Sequence, residues 1–220
     1  ADPRCSAYNL PYRVVVHTVD LENPKNPEQK TKMITDIDYE LLEDIVVALA
    51  RESTPELNLL DKAYMYFVAA TDEPQMSGTE DNVRHITVQY HRLFEKIIAD
   101  LKAEDPKFFE KRGLTEDDIM KLPNLVTTSK VETVDGFVST YVPQFQHFDT
   151  EAERQGYYDS IQNDEYSSGE VWWYGCFQPA APYPTYHVDD YMLSSRTLSW
   201  MQYEYGISGN LYWGTNTYVY

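Results

Sequence analysis

A chain of 220 residues has room for one sizeable core, and 42% hydrophobic with 25% charged residues is an ordinary globular balance. Its 36 acidic against 18 basic residues leave a formal net charge of −18, which argues against nucleic acid and anionic membrane surfaces as partners. Nineteen Tyr, eight Phe and four Trp argue against disorder, and no apolar run approaches the roughly 20 residues of a membrane-spanning helix, so no membrane insertion is expected.

In chain order, the β-branched run over 12–17 predicts a first strand, and residues 21–32, with Pro24 and Pro27, a loop. Thr35 followed by Asp38 predicts a capped helix start, after which Ile37, Leu41, Leu42, Ile45, Val46 and Leu49 keep helical period. The nearly continuous apolar run AYMYFVAA over 63–70 predicts a strand buried on both faces. A long helix is predicted from Thr79, with Val83, Ile86, Tyr90, Phe94, Ile97 and Leu101 turned inward. Asp105-Pro106 and Gly113 frame one or two short helices before Leu122. Further strands are predicted over 124–128, 136–142, 170–176 and 210–215, with helices over 150–162 and 188–205, the last stopped by Gly206.

Strands separated mostly by helices predict a parallel α/β sheet, with Val14, Tyr66, Val126, Val138, Trp173 and Tyr212 on six strands. A closed eight-stranded (β/α)8 barrel takes about 250 residues. The chain is therefore a piece of such a barrel, or else an open α/β sheet. The start at Ala1-Asp2-Pro3, without an initiator Met, reads as processed or engineered.

Asp72-Glu73-Pro74 is the strongest candidate site. Two acids follow directly on a buried apolar run, where α/β proteins place their functional loops, and a turn begun at Pro74 can swing both carboxylates toward one cleft. The plainer reading is an acidic flank of the following helix, favoured by its dipole. The C-terminal third is rich in aromatic residues, among them Trp172, Trp173, Tyr174, Tyr183, Tyr186, Trp200, Tyr212 and Trp213. Such rings stack on the apolar faces of sugars, although core packing is the commoner fate of any one of them.

His85 and His91, six apart on one helix, lie about 240° apart around its axis and cannot share a metal. His187-Val188-Asp189-Asp190 reads as a helix start. HExxH, CxxC, phosphate-loop and GxSxG patterns are absent, and neither a metal nor a cofactor is expected. Cys5 and Cys176 match no zinc or redox spacing, and their redox state stays open.

The run Leu60-Asp61-Lys62-Ala63-Tyr64-Met65-Tyr66, ending in Asp72-Glu73-Pro74, resembles the catalytic strand of the family-123 glycoside hydrolases and their relatives of unknown function. A second block is similar to the same family: Val171-Trp172-Trp173-Tyr174 with Cys176, Pro179 and Pro182, then Arg196, Trp200, Tyr205-Gly206-Ile207 and Gly209-Asn210-Leu211-Tyr212-Trp213. Together the blocks span most of the chain from about residue 37 onward. The resemblance implies one incomplete (β/α)8 barrel domain over residues 1–220, with about six parallel strands and a cleft at their C-terminal ends.

It further implies exo-acting β-N-acetylgalactosaminidase chemistry, in which the acetamido oxygen of the substrate is the nucleophile, an exception to the two-carboxylate scheme. Asp72 would then orient the acetamido group and stabilise the oxazolinium-like intermediate, and Glu73 would act as acid and base. The partner implied is a glycan or glycolipid substrate, in a secreted or periplasmic setting. From strand-end position, Trp173 and Trp213 are expected to wall the sugar pocket beside Tyr212, with Tyr141 or Tyr174 bonding the acetamido oxygen. A non-catalytic carbohydrate-binding relative and a structural or interaction domain are the alternatives, and the oligomeric state is left open.

Overall fold

The computed structural model describes residues 7–20, 31–176, 178–187 and 190–212. In chain order the first elements are β1 (Tyr8–Asn9), β2 (Val14–Asp20), β3 (Thr31–Ile37), α1 (Tyr39–Glu52) and β4 (Ala63–Tyr64). Two single-turn helices, α2 (Val68–Thr71) and α3 (Pro74–Ser77), lead into the 25-residue α4 (Glu80–Glu104). The short α5 (Phe108–Arg112) and α6 (Asp117–Met120) precede β5 (Leu125–Val126), α7 (Val131–Val134) and β6 (Thr140–Tyr141). A 3-10 turn over Phe145–Phe148 leads to α8 (Glu151–Asn163), β7 (Glu170–Gly175), α9 (Met192–Glu204) and β8 (Gly209–Tyr212).

Strands β5, β6, β7 and β8 form a curled, half-barrel-like parallel sheet in that spatial order. Val126 pairs with Tyr141, Tyr141 with Val171, and Trp172 with Gly209. Strands β1 and β4 make a separate two-stranded parallel ladder. A single parallel bridge joins it to the sheet: the Met65 amide donates to the Pro123 carbonyl at 2.7 Å, and Leu125 donates back to Met65 at 2.8 Å.

The expectation of six strands in one parallel sheet is corrected in three places. Val14 lies in β2, which pairs antiparallel with β3 over seven residues, so residues 31–37 are strand instead of loop and helix start. Residues 21–30 of the expected loop lie outside the described residues. Helix α1 accordingly begins at Tyr39, capped by Asp38, whose Oδ1 accepts the Leu41 amide at 3.1 Å. Cross-strand pairing outweighs the local cap signal at Thr35.

The second correction is the run over 63–70. It is strand only at Ala63–Tyr64 and turns into α2, with Phe67, Ala70 and Thr71 buried and Val68 41% exposed. That three-to-four spacing is one face of a helical turn, and a short apolar run cannot by itself distinguish the two. Third, Val138 is buried in the bend before β6, with its amide on Asp164 Oδ2. The helix expected over 188–205 runs over Met192–Glu204, and Val188 and Asp189 lie outside the described residues. Helix α8 covers the stretch expected to be helical, and its start is closed by a capping box between Thr150 and Glu153.

The pleat sorts the sheet's side chains into two layers. Val126, Tyr141, Val171 and Trp173 point to the helix side, where Phe145, Phe148, Tyr157 and Leu198 complete a core. Leu125, Val142 and Tyr174 point the other way, packed with Tyr64, Tyr66, Trp172 and Leu211 on the inner face. A third group of residues from β4, the bridge residue Met65 after it, α1 and α4, including Ala63, Val46, Ile86, Tyr90 and Phe94, forms the remaining core. Gly209 is required by this arrangement: a Cβ there would stand 2.1 Å from the Trp172 indole that crosses it.

Candidate active-site cleft

The inner layer ends in a cleft of about 540 Å³ beyond the C-terminal ends of the parallel strands. Each strand delivers a wall residue at or just past its C-terminal end. Tyr66 follows β4, Thr127 follows β5, Gln144 and Gln146 follow β6, and Tyr174 and Cys176 come from the end of β7. Leu211 closes the β8 side.

Asp72 and Glu73 both line this cleft. They occupy the two-residue link between α2 and α3, with Pro74 opening the latter. Asp72 is extended at φ −70°, whereas Glu73 has φ 39° and ψ 58°, a left-handed conformation that residues other than glycine rarely adopt. This reversal of the backbone brings two adjacent carboxylates to one side. Strained residues of this kind gather at functional sites because the surrounding contacts must hold them in place.

The contacts that hold them are specific. Thr127, only 2% exposed, donates its hydroxyl to Asp72 Oδ1 at 2.6 Å and accepts the Glu73 amide at 3.0 Å. Tyr66 donates a second hydroxyl to Asp72 Oδ1 at 2.7 Å. Tyr174 donates to Glu73 Oε1 at 2.5 Å. Burial, and then the bond to the neighbouring carboxylate, pushes both phenols far above their ordinary range, so each is a neutral donor. Among the described residues, nothing bonds Asp72 Oδ2 or Glu73 Oε2. Each carboxylate thus has one oxygen anchored and one free. His147, also on the wall, is held neutral more strongly than usual because burial lowers its pKa.

Of the aromatic residues expected at the sugar site, Tyr174 lines the cleft, with its hydroxyl committed to Glu73. Trp173 does not. It is fully buried on the helix side, edge-on to Phe145 and Phe148, because residues 172 and 174 take the inner parity of β7. Tyr141 is likewise buried on the helix side, hydrogen-bonded to Ser160 at 2.9 Å. Tyr212 pairs with Gly175, one position beyond the inward Leu211, and packs edge-on against Tyr186. Trp213 lies outside the described residues, as does Cys5. The sequence reading missed Tyr66, Thr127, Gln144 and Gln146, all marked only by their place just after a parallel strand.

Comparison with protein-family models and with curated proteins finds no match for this chain.

Proposed function

We propose that the chain forms an incomplete (β/α)8 barrel of a retaining glycosidase that removes terminal β-linked N-acetylgalactosamine, or a related acetamido sugar, by substrate assistance. The observation that carries this reading is the adjacent Asp72-Glu73 pair, turned into one cleft with a free oxygen on each carboxylate. The resemblance of both sequence blocks to family-123 glycoside hydrolases supports the choice of sugar. A cleft of about 540 Å³ is also of the size that small-ligand sites have.

In this mechanism Asp72 Oδ2 accepts the acetamido N–H and aims the carbonyl oxygen at the anomeric carbon. Protonated Glu73 gives its proton to the glycosidic oxygen as that C–O bond breaks, and the acetamido oxygen bonds to the anomeric carbon. The positive charge of the oxazolinium formed falls beside Asp72. Glu73, now a carboxylate, takes a proton from the attacking water, and the ring reopens with the β configuration retained. Tyr174 fixes Glu73 Oε1, leaving Oε2 to carry the proton.

The test is a screen of aryl β-glycosides of N-acetylgalactosamine, N-acetylglucosamine and galactose, with the anomer of the first product read by NMR. Turnover confined to acetamido sugars, with retention, is expected. Equal turnover of the galactoside would overturn substrate assistance, and turnover of none of the three would overturn the enzymatic reading.

A further inference from the structure

Outside the cleft, a second cluster gathers three side chains that the sequence keeps far apart: His17 on β2, Asp36 on β3 and His85 on α4. In the β2–β3 ladder His17 pairs with Ile34 and Val15 with Asp36, which makes His17 and Asp36 diagonal neighbours on one face. That face covers α4, burying Ile34 and Asp36, while Val16 and Met33 on the opposite face are exposed. The Nε2 atoms of His17 and His85 both stand 3.1 Å from the same oxygen, Asp36 Oδ2. The other oxygen, Oδ1, accepts the Tyr39 hydroxyl at 2.7 Å and the Ile37 amide at 2.8 Å.

Asp36 is 0% exposed, and a buried carboxylate is costly unless a positive charge compensates it. Among the described residues no Lys or Arg pairs with it. The nearby Arg13 goes to Asp38, and Lys32 and Arg84 both go to Asp81. Among the described residues, its ionisable partners are the two imidazoles that face the one oxygen.

We propose that His17, Asp36 and His85 bind a divalent metal ion of the zinc class. The three ligand atoms lie within 4.8 Å of one another. Bonds of about 2.0–2.1 Å in a tetrahedron place ligands about 3.3 Å apart, so the two nitrogen–oxygen separations need hardly change, while the two Nε2 atoms must close by up to about 1.5 Å through rotation of the half-exposed His17 side chain. The bonds to Tyr39 and Ile37 orient the carboxylate, the supporting role that outer-shell partners play at metal sites. Two imidazoles select a borderline metal over magnesium or calcium. The side chain of His17 is 44% exposed, which leaves a side open to a water ligand. With ligands from two strands and α4, the ion would pin the hairpin to the helix.

The experiment uses the 220-residue chain without an affinity tag, stripped with chelator and dialysed, titrated with zinc by calorimetry and with cobalt by visible absorption. One equivalent is expected, with the d–d bands of a low-coordinate cobalt ion and a zinc-dependent rise in thermal midpoint. His17→Ala, at a half-exposed position, should weaken zinc at least tenfold and abolish the cobalt bands, and His85→Ala should do the same. Absence of stoichiometric uptake by the wild type overturns the proposal, as does uptake that neither substitution weakens.

Discussion

Thr127 offers the sharpest probe of the cleft, because one hydroxyl serves both carboxylate residues. Thr127→Val keeps the shape and removes the donor to Asp72 Oδ1 and the acceptor for the Glu73 amide. A hydrogen bond to a charged group is worth about 1.5–3 kcal/mol, but Asp72 is only half-buried and water can replace part of it, leaving about 1 kcal/mol. The amide bond, lost in a site where Thr127 is 2% exposed, adds about 1 kcal/mol. The sum of about 2 kcal/mol corresponds to a thermal midpoint lowered by about 4–8 °C for a chain of this size. Thr127→Ser keeps both bonds and loses one buried methyl, about 0.8 kcal/mol. Urea denaturation of the three proteins measures the difference. With Glu73 freed from its left-handed turn, kcat on an aryl glycoside should also fall roughly 10–100-fold in the Val variant and little in the Ser variant. A Val variant as stable as wild type, or less affected than the Ser variant, would refute the claim that this hydroxyl holds the pair.

Glu73→Gln should cost about 10²–10⁴ in rate on substrates with poor leaving groups and much less with nitrophenyl glycosides, whereas Asp72→Asn should slow all acetamido substrates alike, as steady-state kinetics across a leaving-group series will show. Trp173→Ala should destabilise by about 3–5 kcal/mol in urea without raising KM in the folded protein, since its indole is sealed on the helix side. Burial among Tyr90, Phe94 and Tyr166 lowers the His91 pKa below its ordinary 6.5. The unfolded chain therefore takes up the proton first as pH falls, so the stability present above about pH 6.5 is lost between 6.5 and the depressed value. Thermal melts of His91→Phe across that window should lack this acid-side loss.

Elements whose signals are local were legible in the amino-acid order. The apolar period of α4, the helical stretch of α8, the Gly113 and Gly206 stops and the βα alternation from β5 to β8 all depend on neighbours within a turn or two. The sequence also marked Asp72-Glu73 by position after an apolar run. What it left open was side-chain direction. Whether Trp172 or Trp173 faces inward is a parity set by pairing with β6 and β8, and a one-residue difference moves the indole from the cleft side to the core. The residues that hold the carboxylates, Tyr66, Thr127 and Tyr174, lie up to 101 positions away from their partners and carry no local mark. The hairpin of β2 and β3, and with it the meeting of His17, Asp36 and His85, likewise depends on cross-strand register and packing on α4, contacts that no sequence window spans.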